Sequence, residues 1–259
     1  MKKALVSIVI PCYNQGNYID ETVQSVLAST YRPIQVIIVN DGSKDESLKI
    51  AYQLQDKHPE ITVLDQPNSG VAKARNTGVN AAKGTYVLPL DGDDLISTNY
   101  LEKSVEILAN QPKVKVVYCQ AVKFNSSLQK PWKLKAFSRN KLARDNMIFV
   151  AALFRKSDFM EIGGFSEDMT MGREDWEFWI KMLKDGGEVV KLPFIGFYYR
   201  LTKQSKRKKT GTNQKKRERI AYLNAHHLPF FERELNGPLR FQRTWSKPYN
   251  TLLKWMGKL

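Results

Sequence analysis

Three carboxylates crowd into four residues at Asp91-Gly92-Asp93-Asp94, directly after an apolar run that ends at Leu90. Like charges this close repel one another, and a cation relieves them. Mg²⁺ and Mn²⁺ take hard oxygen ligands, often one or two carboxylates with substrate phosphates in the remaining positions. In an extended segment Asp91 and Asp93 point to one face and Asp94 to the other. Two carboxylates can then converge on a metal or a ribose. Gly92, without a side chain, lets backbone approach a ligand closely. The competing reading is an acidic turn capping the next helix, where Asp is favoured anyway. The cluster points to metal-assisted chemistry on a phosphorylated donor.

Other polar groups interrupt apolar runs in a similar way. Asp41-Gly42-Ser43 follows Ile37–Asn40; its carboxylate can accept a hydrogen bond from a base N–H, or it is a plain Asp-Gly turn. Pro11-Cys12-Tyr13-Asn14 leaves the first apolar run, and Tyr13 offers a flat ring to a base. Asn68 to Gly78 opens a helix of small residues, with Ala72 and Ala74 fitted for close approach to a sheet. Its Arg75 can pair with a phosphate, or be a surface charge. Glu174-Asp175-Trp176 starts another helix, where acidic residues suit the helix dipole. A carboxylate there, beside Trp176 and Trp179, is also a candidate general base. Gly163-Gly164-Phe165 reads as a tight turn through which backbone can approach a sugar.

The elements that must position these groups alternate. Apolar runs at 5–10, 34–39, 61–64, 85–90 and 114–119 predict strands buried on both faces. Helical periodicity at 18–29, 46–57, 71–82 and 100–110 falls between them. Such alternation predicts an α/β fold, a Rossmann-like mostly parallel sheet with flanking helices and right-handed crossovers. Ligands sit at the carboxyl ends of such strands, and there the polar motifs fall. Residues 125–146 break the pattern and read as a long loop or mixed region. A helix at 174–183 and a strand at 194–201 follow, with helical patterns at 215–223 and 227–235.

Together the motifs resemble the inverting GT-A glycosyltransferases of family 2. The stretches 6–14, 39–43, 68–78, 90–94, 163–167 and 174–175 resemble that family's motifs in order and spacing, across roughly residues 4–205. The resemblance implies a GT-A domain over 1–203 and a basic, partly helical C-terminal extension over 204–259. It assigns Pro11, Tyr13, Asn14, Asp41, Asn68, Arg75, Asp91, Gly92 and Arg200 to the nucleotide sugar, expected to be a UDP-sugar. Asp93 and Asp94 would hold Mg²⁺ or Mn²⁺, and Asp175 would be the catalytic base. Gly163, Gly164, Glu174 and Trp176 would lie on the acceptor side. Thr202 stands where the family often has histidine, so Arg200 or Lys203 would supply charge to the diphosphate. The acceptor would be a glycan or lipid-linked hydroxyl in envelope or surface polysaccharide synthesis.

Bulk properties agree with an enzyme domain. A chain of 259 residues can bury one substantial core, and 42% hydrophobic with 26% charged residues is ordinary for a globular protein. Cys12 and Cys119 read as reduced thiols of a cytoplasmic protein, and three histidines show no zinc spacing. The start reads as a buried strand and not a signal peptide, and no run reaches bilayer-spanning length. The net charge of +15 concentrates from Lys203 onward, which suits an anionic membrane surface or a solvated tail. The stretches 241–245 and 252–259 mix aromatics, leucine and basic residues like an interfacial helix. A sugar nucleotidyltransferase would need a glycine-rich, Arg/Lys-bearing loop after strand one, which is missing. A non-catalytic basic module is the other alternative; with no nucleic-acid motif present, nucleic acid is not an expected partner.

Overall fold

Near-continuous Val/Ile runs can be satisfied only where both faces of a sheet are covered, and the first two strands are. β1 (Val6–Cys12) is buried throughout, and β2 (Ile34–Asp41) is buried at all positions but Gln35. The computed structural model describes residues 3–202, 210–242 and 246–257; Lys203 and the basic run to 209, Trp245 and Leu259 lie outside these. β1 and β2 pair in parallel from Val6↔Ile34 to Cys12↔Asn40. β3 (Ile61–Gln66) and β4 (Tyr86–Pro89) extend the parallel sheet on either side. The crossovers are α1 (Ile19–Leu27), α2 (Ser47–Lys57) and α3 (Val71–Ala81). In α1 the apolar spacing Ile19, Val23, Val26 forms the buried face.

After β4 come β5 (Leu95–Ile96), α4 (Tyr100–Asn110), β6 (Val114–Phe124) and β7 (Gln129–Trp132). α5 (Arg139–Leu142), β8 (Leu153–Arg155), α6 (Lys156–Glu161), α7 (Glu174–Leu183) and β9 (Glu188–Arg200) follow. The sheet order is β3-β2-β1-β4-β8-β6-β9-β5, with β7 paired to β6. The long strands pair in parallel, including β6 with β9; the antiparallel partners are the short strands β5, β7 and β8. The mixed region 125–146 therefore resolves into a hairpin strand and one helical turn. Its polar residues hid a strand that lies exposed at the sheet edge.

α3 lies against the sheet closely enough that a Cβ on Gly78 would come within 2.3 Å of Val9 Cγ1. That approach sets the height of Arg75 above the strand ends. α8 (Asn213–Leu235) and α9 (Lys247–Trp255) complete the described chain. α8 joins the main core through Ile220, Leu223, Phe230 and Phe231. The two helical patterns expected at 215–223 and 227–235 are the two segments of α8, which meet at His227, where the backbone leaves helical geometry (φ −135°, ψ 26°) two residues before Pro229.

Candidate active site

The exits of β1 and β2 form the first wall. Asn14 adopts a left-handed conformation (φ 53°), and its side chain accepts from Lys44 N at 2.7 Å while its own N–H donates to Ser43 Oγ. Tyr13 beside it is 49% exposed, an open ring at the mouth. Pro11 is buried within β1. Asp41 is buried at the end of β2. Its carboxylate accepts from Ser69 N (2.8 Å), Gly70 N (2.9 Å) and Gln66 Nε2 (2.8 Å), while Asn68 Nδ2 donates to its carbonyl (2.9 Å). Asp41 thus fixes the turn that leads into α3. Gln66 and Ser69 carry no separate sequence signal for this task.

Arg75 is neither exposed nor free. At 3% exposure it donates to Asp91 Oδ1 at 2.6 Å and to Glu174 Oε1 at 2.9 Å, with its guanidinium over the Phe165 ring. Burial disfavours its charge, but Asp91 and Glu174 outweigh that and raise its pKa. This guanidinium joins the acidic cluster after β4 to the start of α7, two regions 83 residues apart in sequence.

Within the cluster the three aspartates differ. Asp94 is 1% exposed and accepts from Arg200 N at 2.8 Å. That contact fastens the end of β9, with Asp94 directly beside Asp93, the other expected metal ligand. Burial, then Asp93 and Asp91, push its pKa well above the usual range. Asp93 is partly exposed and makes no ion pair among the described residues; burial and the neighbouring Asp91 raise its pKa to about 6. Gly92 packs against Gln15 and Ile19, where a Cβ would come within 2.4 Å of Gln15 Oε1. Arg200 donates from Nε to the Asp93 carbonyl (2.7 Å) and from Nη2 to Glu21 (2.6 Å), between the rings of Tyr18 and Phe124.

Asp175 opens α7 next to Glu174. Asn146 Nδ2 donates to its Oδ2 at 2.6 Å, and Trp176 N donates to its Oδ1 at 2.9 Å. Burial and the Glu174 charge raise its pKa to about 7, against partial relief from Arg75 and Arg173. A carboxylate in that range can both lose and take up a proton near neutrality. Asn146 was invisible in the sequence because it ends an irregular stretch with no periodicity. Trp176 is fully buried, its indole N–H donating to Leu142 O at 2.6 Å. It anchors α7 in the core. Gly163 and Gly164 form the expected tight turn, and Asn76 pins the following residue by bonding both the N–H and the carbonyl of Phe165 (2.9 Å each).

A parallel half-sheet, an acidic motif after its fourth strand and a carboxylate opening a later helix thus meet at one end of the sheet, an architecture of the GT-A class. Residues 7–179 match the model of the Glycosyl transferase family 2, and the chain belongs to that family. It is 35% identical over 191 residues to the glycosyltransferase RP339 of Rickettsia prowazekii, covering 70% of this chain and 59% of that one. It is 31% identical over 185 residues to the chondroitin synthase of Pasteurella multocida, covering 70% of this chain and 19% of that one. The chain thus spans less than two thirds of the length of these relatives. The fold matches S. aureus TarS in complex with UDP-GlcNAc with a TM-score of 0.71 at 18% identity, over 97% of this chain and 76% of that one. It also matches the mannosyltransferase PcManGT of Pyrobaculum calidifontis in complex with GDP-Man and Mn2+, with a TM-score of 0.71 at 18% identity, over 99% and 76%.

Proposed function

We propose that the protein transfers a sugar from a UDP-sugar to a hydroxyl of a glycan or lipid-linked acceptor, with inversion at the anomeric carbon. Asp175 carries this reading, because its pKa of about 7 and its anchoring by Asn146 suit a general base. The acceptor oxygen attacks the anomeric carbon as Asp175 takes its proton. The bond from that carbon to the phosphate oxygen breaks, its electron pair leaves with the diphosphate, and no enzyme-bound intermediate forms. Tyr13, Asn14, Asp41 and Asn68 line the base side, with Tyr13 the exposed ring. Arg75 and Arg200 set the acidic floor under the diphosphate by holding Asp91 and the Asp93 backbone.

The carboxylates fit a divalent ion. Asp93 makes no ion pair among the described residues, and burial, then the neighbouring Asp91, raises its pKa against partial relief from Arg200. Asp93, with Asp91 beside it, would hold Mg²⁺ or Mn²⁺, leaving further positions to substrate phosphates. When bound, the ion neutralises the departing diphosphate. An acceptor at the cytoplasmic face of an envelope membrane agrees with the basic C-terminal region, the exposed apolar residues of α9 and two free thiols.

The test is a panel of UDP- and GDP-sugars with Mn²⁺ or Mg²⁺, read as nucleotide release and as the anomeric configuration of the product. Turnover of a nucleotide sugar with inversion is expected. A retained configuration, or no nucleotide sugar bound or turned over, would sink the reading.

A further inference from the structure

The catalytic helix α7 enters through an unfavourable turn. Gly172 has φ +79°, and Arg173, the residue before the helix, sits in the left-handed region at φ 65°, ψ 36°. A non-glycine residue there is strained and persists only where its surroundings over-determine it. Arg173 is itself paired with Asp145, and the carbonyls before it are held by α8 and by Thr210 just ahead of that helix. Arg219, 5% exposed, donates from Nε to Gly172 O at 2.9 Å and from Nη2 to Met171 O at 2.7 Å and Thr210 O at 3.1 Å. Thr210 also fills the space beside Gly172, where a Cβ would lie 2.8 Å from its own Cβ. The two residues after this turn are Arg173 and Glu174, and the third is Asp175.

Two further grips follow along the same pair of helices. His227 Nε2 lies 2.8 Å from Glu177 Oε1, both side chains buried, and Ser166 Oγ donates to the other Glu177 oxygen at 3.0 Å. Glu177 is two residues beyond Asp175. Arg233 Nη2 donates to Lys184 O, the carbonyl at the end of α7. The contacts advance in step, 219 to 172, 227 to 177 and 233 to 184, so α8 runs beside α7 from its entry turn to its end. Charged groups at such depth are held by specific partners or not at all.

We infer that α8 is the clamp that sets where Asp175 points, with Arg219 and His227 as positioning residues for the transfer reaction. The basic C-terminal region is then part of the catalytic apparatus. Neither residue reaches the reacting atoms; each acts through α7. The inference rests on the reading of Asp175 as base, and a small displacement of a positioned group costs about 100-fold in rate.

The experiment uses the full chain, Mn²⁺ and the nucleotide sugar that the wild type turns over fastest, with UDP binding and thermal melting measured alongside. Arg219→Lys keeps the charge but loses the planar fork that bridges three carbonyls. It is expected to lower kcat about 10- to 100-fold with UDP affinity within about threefold of wild type. His227→Ala is expected to lower kcat in the same sense, and His227→Gln, which keeps an N–H for Glu177, to restore most of it. In an Asp175→Asn background, Arg219→Lys should add no further loss. If Arg219→Lys folds and keeps wild-type kcat, weakens UDP as much as kcat, or costs the same factor without Asp175, the clamp is wrong. Should Arg219→Lys fail to fold, equal kcat in His227→Ala and wild type overturns it. Asp175→Asn at the wild-type rate overturns the base reading instead, and the two failures are told apart by that single variant.

Discussion

Asp175 is asked to be charged in a place that resists charge. Burial and Glu174 lift its pKa from 3.8 to about 7, so below neutrality it is protonated and cannot accept a proton. The transfer rate should therefore fall as pH drops through about 7, and Asp175→Asn should remove that limb and lower kcat about 100- to 10,000-fold. The same shift acts on stability with a fixed sign. A raised native pKa means the native state binds more protons than the unfolded chain between the two values, so this group's contribution falls as pH rises from about 4 to about 7. Asn carries no such penalty. Asp175→Asn should melt higher than wild type at pH 8 and no higher at pH 4, by calorimetry; an unchanged melting temperature at both would contradict the assigned environment. Arg75 presents the opposite case. Arg75→Met leaves Asp91 and Glu174 facing each other, and breaking a buried pair from one side costs about 3–5 kcal/mol. Denaturant unfolding measures this, and a loss below about 1 kcal/mol would show that the pair is solvent-screened.

At the scale of elements, the sequence made the frame readable and the cross-links unreadable. Strands such as 34–39 and helices such as 18–29 follow from local periodicity, and their order places the motifs at strand ends without any knowledge of contacts. The strand β7, at the exposed sheet edge, has no apolar alternation to reveal it, and the partners of Asp41, Asp175 and Arg75 depend on tertiary approach. Asn146 and Glu174 meet their partners across 29 and 99 residues. Trp176, expected on the acceptor side, has its ring turned into the core by its spacing on α7. The close seat of α3 offers a direct check. A valine at position 78 would clash with Val9 and Val39, so Gly78→Val should destabilise the fold by about 1–3 kcal/mol and displace Arg75. A melting temperature equal to wild type would mean that α3 sits higher on the sheet than described.

Over the whole molecule the charge is sorted. Residues 203–259 hold fifteen Lys/Arg and three Asp/Glu, so twelve of the fifteen net positive charges fall on the last 57 residues. α9 adds apolar surface to that charge. Tyr249, Leu252 and Met256 fall at helical spacing on one side, and Trp255, 85% exposed, extends it, while Leu253 turns inward. No helix among the described residues is long and apolar enough to cross a membrane. Each Lys or Arg near an anionic bilayer contributes about 1 kcal/mol, and the term weakens as salt rises. A basic segment and a small apolar face thus supply the two signals that stable surface attachment requires. Co-sedimentation should show the protein on vesicles containing phosphatidylglycerol and not on phosphatidylcholine alone, with release at 0.5 M NaCl, a concentration at which the screening length is down to about 4–5 Å. Leu252→Ser with Trp255→Ser should weaken binding while leaving nucleotide-sugar turnover in solution unchanged, because both side chains are exposed, at 53% and 85%. Equal binding to both vesicle types, or full binding by the double variant, would remove the membrane from the proposed role of this region and leave α8 as its functional element.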